Sequence, residues 1–182
     1  MEFLPDIKCY LTPLRKASMD KENRTPLIDT DDLVYNFDGI TKQLCKKLQR
    51  KETLASCDAL LKRDEQYYFL EFKNQPQVNI DLPQMAKKAF QSFQLFRLAI
   101  EQDMSVEQAR DHLTLFVIYA DKDGEDSFSG IREKIYKFSK LPDERPILFD
   151  LRRVHGKLYQ EIYTLPKSEF MTSWYPSLFS SA

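Results

Sequence analysis

Asp58, Glu71 and Lys73 are the residues of this 182-residue chain whose types and spacing could do chemistry. Two carboxylates directly opposed across paired strands have Cβ atoms about 5 Å apart and repel. A stable fold brings such acids together only around a cation. Lys73 is one candidate for that cation, and a divalent metal is the other, because carboxylate oxygens are the hard ligands that Mg²⁺ and Mn²⁺ prefer. A bound ion of this kind lowers the pKa of a water and polarises a phosphoryl oxygen, while a nearby ammonium orients the water or stabilises developing charge. The combination suits phosphodiester hydrolysis.

A β-hairpin has to position these groups. Two strand-like runs, 53–62 and 66–73, are separated by Arg63-Asp64-Glu65. With a two-residue turn at Asp64-Glu65, Leu61 faces Tyr68, Leu60 faces Phe69 and Asp58 faces Glu71 on one side of the sheet, with Lys73 two residues further along that side. A slip by one residue would separate the carboxylates. Elsewhere the pattern predicts a helix over 31–50, through Leu33, Phe37, Ile40, Leu44 and Leu48, and a second over 82–102, through Leu82, Met85, Ala86, Ala89, Phe93, Phe96 and Ile100. The run 112–120 reads as a strand buried on both faces, 127–140 as a third helix, and 146–153 and 157–165 as two more strands. The expected fold is α/β, one domain over 1–182 with a mixed central sheet flanked by helices, an irregular lead-in at 1–30 and an apolar tail at 165–182 docked on the core.

Asp58, followed thirteen residues later by Glu71-Phe72-Lys73 on an apolar strand and then by an amphipathic helix, resembles the PD-(D/E)xK nuclease superfamily, whose fold is restriction-endonuclease-like. Cys57 stands where the motif usually has proline. The resemblance covers helix one to the strand at 112–120. It implies that Asp58, Glu71 and the main-chain carbonyl of Phe72 hold Mg²⁺ or Mn²⁺, that Lys73 serves catalysis, and that the substrate is nucleic acid, DNA before RNA. Members of that family often add an acid from the first helix, which points to Asp38. Some use a Gln or Lys early in the following helix, which points to Gln84 and Lys88.

Other classes are excluded or disfavoured. A net charge of −1 and no concentrated basic surface argue against coating nucleic acid through bulk electrostatics, so any such contact must be local. The same feature keeps open an alternative: a catalytically inactive binding or immunity-type protein on the nuclease fold. Cys9, Cys45 and Cys57 are odd in number and lack C-x-x-C spacing, which suits a reducing cytoplasm rather than a disulfide framework or zinc site. No run reaches the 18 apolar residues of a membrane span, so no membrane partner is expected, while a homodimer or protein partner is compatible. Reading Asp121, Asp123 and Gly124 as a calcium loop puts Tyr119 and Gly130 where oxygen ligands are required. No phosphate-cradling G-x-x-x-x-G-K-[ST] loop is present.

Overall fold

The apolar run at 113–119 sits between two parallel neighbours in a six-stranded open sheet in the computed structural model, which describes residues 7–20, 22–121 and 146–179. The strands β1 (Leu11–Pro13), β2 (Leu33–Asn36), β3 (Ala59–Arg63), β4 (Gln66–Lys73), β5 (Leu113–Tyr119) and β6 (Glu161–Pro166) lie side by side in chain order. Neighbours are antiparallel from β1 to β4 and parallel from β4 to β6. Parallel neighbours need long crossovers. The one between β4 and β5 is helical.

The described helices are α1 (Leu14–Ala17), α2 (Phe37–Lys47), α3 (Leu82–Ala99), α4 (Val106–Asp111), α5 (Lys167–Ser173) and α6 (Tyr175–Phe179). Strand alternation splits the core into two layers. On one face Leu60, Phe69, Leu115 and Val117 pack against Phe37, Ile40 and Leu44 of α2 and Met85, Ala89, Phe93 and Phe96 of α3. On the other, Leu70, Phe116 and Ile118 pack against Leu14, Ile28, Phe170 and Leu178. Phe170 and Leu178 thus pack on this face, with Phe116 ringed by Tyr163, Phe170 and Trp174. The lead-in also contributes to the fold, supplying an edge strand, α1 and the buried Leu14, Leu27 and Ile28.

Three sequence expectations need correction. Residues 31–50 are not one helix: Leu33–Asn36 is a strand whose Val34 is buried while Leu33 stays 55% exposed, and the helix begins only at Phe37. The Asn36 side chain accepts the Gly39 N–H at 2.8 Å there, and a Cβ at position 39 would meet that side chain at 3.1 Å, so glycine lets the cap close. Residues 146–153 form no strand, because Phe149 and Asp150 take left-handed φ of 60° and 58° and lead into a 3₁₀ turn, Leu151–Arg153. The first hairpin strand starts at Ala59 rather than 53. The helix expected at 127–140, and most of the rejected calcium loop, lie outside the described residues. Asp121 accepts from the N–H and hydroxyl of Ser168 and so anchors the start of α5.

Candidate metal and phosphodiester site

The hairpin register is the one the charges suggested: Ala59 faces Leu70, Leu60 faces Phe69, Leu61 faces Tyr68 and Arg63 faces Gln66, around a turn in which Asp64 is left-handed at φ 51°. Continued by two residues, the ladder would pair Cys57 with Phe72. It opens instead. The Cys57 N–H is given to Ser92 Oγ at 2.8 Å, and the Phe72 N–H to Asp58 Oδ2 at 2.8 Å. A residue's N–H and C=O leave a strand on the same side, so the Phe72 carbonyl faces this opening too. Lys73 alternates away from it, its carbonyl accepting from Ala120 N–H beyond the end of β5.

Helix α3 holds the opening apart. Ser92, fully buried in a helical stripe otherwise made of Met85, Ala89 and Phe96, takes the Cys57 amide, and Gln91 Oε1 takes the Ala55 amide at 2.7 Å. One turn earlier, Lys88 Nζ donates to both oxygens of Glu71, at 2.7 and 2.9 Å, and lies 3.7 Å from Asp58 Oδ1. Lys73 Nζ is 3.1 Å from Glu71 Oε1. Glu71 is wholly buried, whereas the side chain of Asp58 keeps 29% of its exposure. Two acids and two ammonium groups thus meet at the mouth of the hairpin.

Environment shapes these groups. Burial, and then the neighbouring Glu71, push the Asp58 carboxyl up to about 7, against the pull of Lys88, the Phe72 amide and Lys73. For Lys88, burial disfavours the charge, but Glu71 and Asp58 more than reverse this and hold its pKa above the ordinary lysine range. Burial, then Glu71, raise the Cys57 thiol far above its ordinary value, so this cysteine is no nucleophile.

The structure brings Asp58, Glu71, Lys73, Lys88 and the edge of Phe72 together. The cation between the acids is chiefly Lys88, not Lys73. Asp38 stays at the border: its Oδ2 is 2.6 Å from Lys42 Nζ, and its Oδ1 accepts from Ser56 Oγ at 3.4 Å, two residues before Asp58. Gln84 is not brought in; it is exposed, with its N–H capped by Asp81 Oδ1. Ser92 and Gln91 went unnoticed in the sequence, although a serine at a core position of an apolar helical stripe is a legible signal. The expected lack of basic surface is also corrected: Lys46, Arg50 and Lys51 are exposed together at the end of α2 and just beyond it.

Among the described residues no three His, Cys, Asp or Glu side chains gather to hold an ion. A resident ion would rest on the Asp58 and Glu71 carboxylates, the Phe72 carbonyl, waters and substrate oxygens, which is how Mg²⁺ is commonly held. The donor set fits in kind, provided Lys88 swings off the acids. No helix among the described residues is long and apolar enough to cross a membrane. Comparison with protein-family models, with curated proteins and with solved structures finds no match to this chain.

Proposed function

We propose that this protein is a metal-dependent phosphodiester hydrolase acting on nucleic acid, DNA before RNA, with a PD-(D/E)xK-type site on a restriction-endonuclease-like core. The observation that carries the reading is the opened hairpin end, where Asp58, Glu71 and the carbonyl side of Phe72 share one gap with Lys73 beside them. Mg²⁺ or Mn²⁺ held there would supply an activated water and polarise the scissile phosphate. Asp58 and Glu71 bind and orient, and Lys73, anchored on Glu71, holds its ammonium where charge develops on the phosphate. Lys88 keeps the two acids compatible in the absence of an ion. Incubating the protein with single- and double-stranded DNA and RNA, with EDTA, Mg²⁺ or Mn²⁺, tests this. Ion-dependent cleavage is expected, with Lys73→Ala lowering turnover strongly while leaving ion affinity largely intact. Failure of all substrates with both ions would overturn the proposal.

One observation favours a second reading, a binding protein that keeps this fold without turnover. Lys88 already satisfies Glu71 with both oxygens engaged, so the acids need no further cation for stability. The readings separate in a melting experiment with Mn²⁺: the hydrolase gains stability from the ion and loses that gain on Asp58→Asn, whereas the purely structural ion network ignores the ion.

A further inference from the structure

Five of the ten residues from 42 to 51 are basic, Lys42, Lys46, Lys47, Arg50 and Lys51, and none is acidic. Since the whole chain carries −1, the remainder carries about six excess negative charges, so the positive charge is concentrated here. The fold fixes where this segment points. Helix α2 starts against the acid cluster, its Phe37 N–H donating to the Asp58 carbonyl at 3.1 Å. Lys42 is one turn from Asp38, and Lys46 one turn further on the same face, about 12 Å along the axis at 1.5 Å per residue. At the C-terminus Gln49 is left-handed at φ 52° and Arg50 N–H closes on the Cys45 carbonyl, which turns Arg50 and Lys51 back beside the last turn. Lys46, Arg50 and Lys51 are exposed and make no ion pair among the described residues.

We infer that this exposed basic stretch, from Lys46 through Lys51, is the phosphate-binding track that carries a nucleic-acid backbone toward the Asp58–Glu71 cluster. The inference rests on the proposed hydrolase reading and names the surface that its substrate would use. Lys46, Arg50 and Lys51, exposed and without an ion pair among the described residues, suit a polyanion with regularly spaced phosphates, because each neutralised phosphate releases counterions. An anionic membrane suits it less. The apolar face of α2, with Phe37, Ile40, Leu44 and Cys45, is already buried in the core and cannot enter a lipid interface.

The test measures binding apart from cleavage. Fluorescence anisotropy of labelled 20-nucleotide single- and double-stranded DNA and RNA is recorded in EDTA across a salt series for the full chain, Lys46→Ala/Arg50→Ala, and the control Arg152→Ala, an exposed cation outside the stretch. The double variant is expected to bind at least tenfold more weakly and to lower the slope of log affinity against log salt by about 2, roughly one per lost phosphate contact. The control should match the parent, and equal melting temperatures verify that all three are folded. Unchanged affinity and slope in the double variant would overturn the track even if ion-dependent cleavage is found. Conversely, a slope change without any cleavage keeps the track and removes the hydrolase reading. Binding to phosphatidylglycerol vesicles in place of every oligonucleotide would overturn it as well.

Discussion

Replacing Lys88 by alanine tests the account of the acid cluster most directly. Glu71 is wholly buried and receives both of its short ammonium hydrogen bonds from Lys88, so the variant strands a buried carboxylate. Removing one partner of a buried pair costs about 3–5 kcal/mol, and the low end applies because Lys73 remains 3.1 Å away. For a chain of 182 residues, where 1 kcal/mol shifts Tm by about 2–4 °C, a loss of about 3 kcal/mol lowers it by about 6–12 °C. The same substitution empties the space between the carboxylates. Mn²⁺ at about 100 times its Kd then returns about 2.7 kcal/mol, nearly the whole loss. In the parent the ion must first displace an ammonium, so its response at equal Mn²⁺ is smaller. Differential scanning fluorimetry over a Mn²⁺ titration of both proteins, with Lys88→Met as a variant that keeps the buried stem, reads these shifts. A parent that gains more from Mn²⁺ than Lys88→Ala does would refute competition between the lysine and an ion. A variant that melts at the parental temperature would refute the claim that Lys88 compensates Glu71.

Asp58→Asn should gain stability relative to the parent as pH rises from 4 to 7 and hold that gain above: between those values the unfolded chain has ionised while the folded Asp58, pushed up to about 7, still holds its proton, so parental stability falls. Melting curves at pH 4, 5.5, 7 and 8.5 check this, and a constant difference would contradict it. At the alkaline end, burial first of all raises the phenols of Tyr67, Tyr119 and Tyr159, Tyr119 to about 12. The unfolded chain therefore loses these protons first, and these three phenols alone should lower stability by up to about 4 kcal/mol per pH unit above pH 10, about 1.4 for each, with the raised Cys57 and Lys88 acting in the same direction; urea midpoints at pH 9, 10 and 11 measure it. Thr41, fully buried with its hydroxyl unpartnered among the described residues, should become more stable as Thr41→Val, by about 1 kcal/mol in chemical denaturation.

The hairpin was legible because its sequence contains its own test: only registers of one parity put Asp58 and Glu71 on one face with Leu60 and Phe69, with Leu61 and Tyr68 on the other, and the short Asp64-Glu65 turn selects one of them. Helix α3 was legible from its long apolar stripe, and β5 from seven apolar or β-branched residues in a row. The failures arise where two periods coincide. Leu33, Phe37 and Ile40 are spaced for a helix, yet Leu33 to Asn36 are claimed by ladders to β1 and β3, a tertiary demand that local spacing cannot express. Likewise 146–153 is apolar enough for a strand, and only backbone conformation at Phe149 and Asp150 decides against it. In the site, sequence spacing along one strand favoured Lys73 as the central cation. Lys88 took that place because α3 crosses the hairpin mouth at a height set by the Ser92 and Gln91 hydrogen bonds, a packing relation between elements.

The opened hairpin end also bears on the order in which the chain organises itself. Among the described residues, the groups named at the hairpin mouth, from Phe37 to Ser92, come from one contiguous stretch of fewer than sixty residues, and the loops that must close to join them are short. Far longer closures belong to the opposite face: Arg63 Nε donates to the Leu178 carbonyl 115 positions away, and the Tyr175 hydroxyl reaches Asp32 across 143. Contacts of such sequence separation are the slow ones in folding. Amides of β3, β4 and α3 should accordingly gain protection from solvent exchange early during refolding, with the carboxylate cluster set before the C-terminal helices seal the far side of the sheet.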